Sequence, residues 1–576
     1  MPIALRPYVL ATPRVQRALG VAEPGGAGAA FASALVLDPM RVASSALVDG
    51  IQRLDAALFA PRGMGMPRWA LYDCAGLPGA VIGLGAEAAI LPAEARAALA
   101  LDPAFEGFAP VSMMIVIPMI GEGRWLAYTL GSIGRAAGLA DLDARTLSLG
   151  LDAVRAASGE GAEVMAIAQW TSPEMAALST LAPVRVLSAW LPAHDHAATA
   201  VLRLDLARSR RPIPVDAPGV TLGSIDLEDA RALRGLQRDI EAGREVHITG
   251  SPCFQGPSQR MPIATSVLDA PAIARDDAPA PRDRAAIEPA PHVTTGVHPA
   301  NERLLRDLAP FVVATPEHQA RLELAPFGIA IPAIGRIDPL RASSARFLGL
   351  LSKLDALTFG PEGMPMPRWL FLDGSALPGG IVGLARPASA LDPEARALFG
   401  LPDDDEGLVP LAMYIAVPTL DRGVWVGHNL ASAAERLPRR GLEGLGRLTK
   451  ALGLAVYGAR AQIGATQWAS RALHVHARLG PLELLSAWTP AHADIETLTY
   501  RAAIDDTTLH HLAGDPAGHV DHPPPDLWID SADPLAMQSL QARIEAGERF
   551  QIVGPPVHLE GHHQRLPVHA LPRARS

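Results

Sequence analysis

The feature that most constrains this chain is that it is written twice. GMGMPRWALYDCAGLPGAVIGLG at 63–85 returns as GMPMPRWLFLDGSALPGGIVGLA at 363–385, and PVSMMIVIPMIGEGRW at 110–125 returns as PLAMYIAVPTLDRGVW at 410–425, both without a gap. Other matches pair DPMRVASS from Asp38 with DPLRASSA from Asp338, AQWTS from Ala168 with TQWAS from Thr466, VLSAWLPAH with LLSAWTPAH, and IEAGREVHITGSP with IEAGERFQIVGPP. An offset of 300 (63 against 363) is far longer than a solenoid repeat, which runs to about 20–45 residues, so this is a domain duplication. A chain of 576 residues also exceeds what one hydrophobic core supports, and 49% hydrophobic residues suffice for two sizeable cores.

The copies span 1–268 and 301–576, with C-terminal tails from about 209 and about 506. Between them, 269–300 is rich in Ala, Pro and Asp and has no apolar periodicity, which predicts a semi-stiff exposed linker. Within each copy, SSALVDGIQRLDAALF (44–59) and SSARFLGLLSKLDALTF (343–359) carry apolar residues at helical spacing. Thr12-Pro13 and Thr315-Pro316 have the composition of helix N-caps. WLFLDGSALPGGIVGL reads as strand, turn, strand, AMYIAVPTL as a buried strand, GLGRLTKALGLAVYG as a helix and IGATQW as a strand, with a closing hairpin near 482–504. The predicted class is α+β: two tandem sandwich domains joined by a Pro/Ala-rich linker.

Val417–Leu430 in the second copy, VPTLDRGVWVGHNL, resembles the cofactor loop of the GNAT superfamily of acyl-CoA-dependent N-acyltransferases. That loop has the form Arg/Gln-x-x-Gly-x-Gly/Ala and opens a helix whose N-terminal amides hold a pyrophosphate. The resemblance implies a mixed-sheet GNAT-like α/β sandwich in each copy, an acyl-CoA cofactor, and contacts to it from Arg422, Gly423 and Gly427. ALHVHARLGPLEL (472–484) is similar to the late GNAT helix that presents a tyrosine four residues before a glycine; His476 holds that place before Gly480. The same stretch alternates well enough to form a hairpin turning at Gly480-Pro481. Trp425, like Trp125 in the first copy, stands where the pattern has its first glycine. A bulky residue there points instead to a core or interface anchor.

Candidate catalytic residues are His476, His428 and His492, the last in a Pro-Ala-His loop repeated at His194. Tyr414, His428, Asn429, His474 and His476 replace Met114, Tyr128, Thr129, Ala176 and Leu178, which places any activity in the C-terminal copy. Residues common to both copies, such as Asp73/Asp373, Arg68/Arg368 and Gln169/Gln467, are expected to serve the fold. No phosphate-binding GxxxxGK[ST], HExxH, GxSxG or helix-opening GxGxxG sequence occurs. The net charge of −10 argues against nucleic acid as a partner. The two cysteines, Cys74 and Cys253, have no partner at metal-ligand spacing. Histidines of the tail, among them His519, His558, His562 and His563, read as a solvated cluster rather than a metal site. No apolar run is long enough to span a bilayer, so membrane partners are not expected and the cytoplasm is the default location. Two functions follow: acyl-CoA-dependent transfer in the C-terminal copy, or a non-catalytic internal pseudo-dimer that binds a small-molecule ligand or a protein partner.

Overall fold

The structure is a computed structural model that describes residues 3–572 apart from 22–30, 135, 140, 195–197, 207–218, 256–257, 267–303, 438–441, 493–495, 515–521 and 560–562. The expected linker 269–300, and His519 and His562 of the tail, lie outside the described residues.

Each copy builds a 12-stranded mixed sheet, and the two sheets have the same strand order. In the second copy the order across the sheet is Arg336–Ile337, Ala309–Val313, Gly380–Pro387, Leu408–Pro418, Val424–Ser432, Ala461–Gln467, Thr497–Ala503, Leu482–Ser486, Arg549–Ile552, Gln564–Leu571 and Leu527–Asp530, with Val557–His558 also on Gln564–Leu571. The central strand Leu408–Pro418 is buried along its whole length. Its sequence LVPLAMYIAVP does not alternate, as expected for a strand covered on both faces. Helices Ala345–Phe359 and Leu445–Val456 both pack on it. Val424–Ser432 and Ala461–Gln467 run parallel, so the chain must cross over between them, and Leu445–Val456 is that crossover helix. Adjacent strands Leu482–Ser486 and Thr497–Ala503 form the expected closing hairpin. The 472–484 stretch resolves as a short helix, Ala472–His476, followed by the strand Leu482–Ser486.

One segment corrects the sequence reading. WLFLDGSALPGGIVGL is not strand–turn–strand: Arg368–Phe371 is helical, runs on as a π-helical turn Leu372–Ala376, and only Gly380–Pro387 is a strand. A short apolar run without periodicity fits either element. Here the run is a wholly buried turn that faces its counterpart Leu71–Gly76 across the junction between copies. A side-chain carbon on Gly374 would lie 3.2 Å from Cβ of Cys74, which stands at the equivalent place.

The junction is reciprocal. Arg68 donates to the Pro490 carbonyl (3.0 Å) and Arg368 to the Pro192 carbonyl (3.2 Å). Gln237 donates to the Leu340 carbonyl and Gln541 to the Met40 carbonyl, each at 3.0 Å. The Ala342 amide donates to Glu241 (2.7 Å), and the Val42 amide to Glu545 (2.9 Å). Each tail helix, Ala230–Glu241 or Pro534–Glu545, therefore caps a loop of the other copy. His194 Nε2 lies 3.0 Å from Asp373 Oδ1, and His492 Nε2 lies 3.5 Å from Asp73 Oδ1. Among the described residues, no helix is long and apolar enough to cross a membrane.

Candidate functional site

Two cavities receive the predicted site residues. The larger, about 620 Å³, is a cleft where the hairpin connections 118–125 and 418–425 face each other, with Arg321, Tyr457 and Arg460 on its walls. Arg422 and Gly423 line this cleft. Gly427 does not: it lines a second pocket within the C-terminal copy. No helix starts after the loop, because Val424–Ser432 is a strand whose residues 424–427 pair with 461–464 on one side and, for 425–427, with 416–418 on the other. The helix-terminal amides that the GNAT resemblance implies are thus absent from this segment. Gly427 has a different reason to be glycine, since a Cβ there would stand 2.0 Å from Tyr414 Oη. Both tryptophans are buried, and each also forms part of the wall of the larger cleft. Trp125 Nε1 donates to Ser158 Oγ at 2.6 Å, and the Trp425 ring lies 4.7 Å from that of Tyr457.

The second pocket, about 110 Å³, brings all three candidate catalytic histidines together. His428, His476 and His492 line it with Tyr414, Gln462, Tyr500 and Glu362. His428 comes from strand Val424–Ser432, which bulges opposite Tyr414–Ile415 at Asn429, a residue with φ of +50°. Asparagine tolerates that left-handed conformation better than most residues. His476 comes from the short helix Ala472–His476, and His492 from the loop that reaches to the other copy. Trp69 and Asp73 of the N-terminal copy complete the wall. The site is composite.

Behind His476 and Tyr500 stands a residue that the sequence reading passed over. Lys450 is one of only two lysines among 50 basic residues, and its side chain is wholly buried. Its Nζ lies 2.6 Å from His476 Nδ1 and donates to Tyr500 Oη at 3.4 Å, and among the described residues it forms no ion pair. Burial pushes its ammonium well below the ordinary lysine range. Burial, and then the Lys450 charge, likewise push His476 well below the ordinary histidine range. Burial alone lowers His428 to about 4. Gln462 Nε2 donates to Tyr500 Oη (3.1 Å), whereas Tyr414 Oη and Gln462 Oε1 have no hydrogen-bond partner among the described residues. A signal for Lys450 was present in the sequence: a rare cation at an apolar-face position of the helix GLGRLTKALGLAVYG.

The N-terminal copy fills the same place. Its pocket, lined by Tyr128, Gln169, Glu174, Trp369 and Asp373, encloses only about 30 Å³. Six buried positions differ in kind between the copies. Met114, Tyr128 and Leu178 correspond to Tyr414, His428 and His476. Val164, which pairs with Trp125, corresponds to Gln462, which pairs with Trp425. Leu202, opposite Ala166, corresponds to Tyr500, opposite Gly464. Leu147 corresponds to Lys450, each three residues before a glycine that abuts position 114 or 414. Five of these six positions are aliphatic or Met in the first copy, and all six carry polar atoms in the second.

Common residues behave as fold elements. Asp55 and Asp355 are buried, accept from the Met66 and Met366 amides (2.7 and 2.6 Å), and are each raised by burial to about 7. Burial also raises Asp373, with His194 opposing it. Gln237 and Gln541 each accept from a serine and two amides at the end of the strands Val184–Ser188 and Leu482–Ser486. No protein-family model, curated protein or solved structure matches the chain.

Proposed function

We propose that this protein is a ligand-binding pseudo-dimer in a single chain, with one small-molecule site in the C-terminal copy. The N-terminal copy contributes structure and two wall residues, Trp69 and Asp73. One observation carries the reading: the same fold is built twice, once with aliphatic side chains or Met at five of six buried positions and once with polar groups at all six. The first copy establishes that the fold does not need the polar set. An unpaired buried polar group is unfavourable by about 1–3 kcal/mol, so Tyr414 Oη and Gln462 Oε1, without partners among the described residues, are explained by a ligand that engages them rather than by stability.

Acyl-CoA-dependent transfer is the second reading. It is favoured by His428 and His476 lying in one pocket, within hydrogen-bonding reach of a buried amine in the case of His476. Against it, Arg422 and Gly423 line one cavity and Gly427 another. A thermal-shift screen of small metabolites and acyl-CoAs tests both. Small polar molecules should stabilise the wild type and lose their effect in a Tyr414→Met/His476→Leu variant, which carries the first copy's residues. Stabilisation by acyl-CoAs alone, reduced by Arg422→Ala, would favour the second reading instead.

A further inference from the structure

The pocket's inner end is built from five side chains on five elements: Tyr414, Gln462, His476 and Tyr500, with Lys450 behind them. The groups that face Lys450 Nζ are His476 Nδ1, Tyr500 Oη and the rings of Tyr414 and Tyr500, 6.0 and 5.9 Å away. Strand Gly380–Pro387, strand Val424–Ser432, the turn Pro326–Gly328 and helix Asp506–Leu512 also pack on the lysine's helix, and among the described residues none brings a carboxylate into an ion pair with it. The carboxylates of the site, Asp73 and Glu362, belong to its other walls; Asp73 is within 3.5 Å of His492. The inner end therefore offers hydrogen-bond donors, a latent positive charge and no compensating anion. Two adjacent bases 2.6 Å apart hold at most one extra proton comfortably, since two like charges at that distance repel.

Resting on the site reading above, we propose that this pocket binds a small carboxylate, whose charge is met by a proton taken up at the Lys450–His476 pair. The ligand's oxygens accept from Tyr414 Oη and His476. Lys450 does not line the pocket; it is a positioning residue that supplies the charge through His476 and Tyr500. A pocket of about 110 Å³ suits a ligand of a few heavy atoms. Binding would convert a buried base without an anion into a buried ion pair, which is how proteins accommodate interior charge.

Calorimetry on the full chain tests this with acetate, propionate and glycolate, and with acetamide as the uncharged isostere, in HEPES and Tris at several pH values. The expected result is carboxylate binding with uptake of close to one proton, seen as a heat that depends on the buffer. Affinity should fall by up to about tenfold per pH unit in the range where the free pair is unprotonated. Lys450→Met should fold, since Leu147 occupies the equivalent position, and should lose proton uptake while weakening carboxylate binding at least tenfold. Equal binding of acetamide, or carboxylate binding without proton uptake, would overturn the proposal and leave the small-molecule site intact. Absence of carboxylate binding would overturn it as well, while the metabolite screen decides the site reading separately.

Discussion

Replacing Trp125 with alanine is expected to destabilise the N-terminal copy by about 3–5 kcal/mol, the usual range for a fully packed tryptophan truncated in a core. The ring is 1% exposed, stands beside the 118–125 connection and donates its Nε1 hydrogen to Ser158 Oγ. Truncation leaves a cavity and also removes the partner of that hydroxyl. In the second copy, Trp425 is 7% exposed and its neighbour Tyr457 replaces the serine contact with a ring contact. Trp425→Ala should therefore have a similar effect without a lost indole hydrogen bond. For a domain of this size the shift in melting temperature is roughly 6–20 °C. If Trp125→Ala melts like the wild type, the tryptophans are not anchors and the loop is free to serve a ligand.

Between about pH 8 and 10 the stability of the wild type should rise relative to that of Lys450→Met. Lys450 has a folded-state value well below its ordinary 10.5, with burial as the cause. In this window the unfolded chain binds a proton there that the folded chain does not. Through this group unfolding is thus favoured by acid, and its contribution to stability grows as pH climbs toward 10.5, by at most about 1.4 kcal/mol per unit. Burial raises the Cys74 thiol and the buried tyrosines, such as Tyr72 and Tyr500, so these groups oppose the lysine as pH climbs through 9 and 10, and only the difference between the two proteins reports Lys450. Further groups act at lower pH. Asp55 and Asp355, raised to about 7, stabilise the fold at low pH and lose that contribution as pH rises from the normal carboxylate range through 7. His428, lowered to about 4, favours the fold above 6.5 and weakens it as pH falls toward 4. Denaturant titrations at pH 8, 9 and 10 on wild type and Lys450→Met isolate the lysine. Parallel slopes for the two proteins would mean that Lys450 is charged in the folded state.

Much of the architecture was legible because duplication gives every segment two readings. Helices 44–59 and 343–359, the buried strand at 408–418 and the crossover helix all carry their own periodicity or length signals, and the structure forms them as Ser45–Leu58, Ala345–Phe359, Leu408–Pro418 and Leu445–Val456. The π-helical turns at Leu71–Gly76 and Leu372–Ala376 were not legible, since their burial arises from the other copy and no local pattern encodes it. The histidines of the pocket could be found by comparing the copies, and His428, His476 and His492 do converge. Lys450, Gln462 and Tyr500 were missed for a physical reason. They lie on a helix and two strands separated in sequence, and only the fold brings Ala461–Gln467 beside Thr497–Ala503 and Lys450 within reach of Tyr500. The glycines of the short pattern at 422–427 have local reasons in the fold. Gly427 is glycine to admit the Tyr414 hydroxyl, and Gly423 has φ of +74° in a hairpin turn.

The central claim is that only the C-terminal copy carries the small-molecule site. Saturation-transfer NMR with a mixture of small polar fragments, recorded on the wild type, on His476→Leu and on Gln169→Ala in the N-terminal pocket, tests it directly. The account predicts fragment signals that disappear in His476→Leu and persist in Gln169→Ala. Signals that survive His476→Leu but vanish in Gln169→Ala would contradict it.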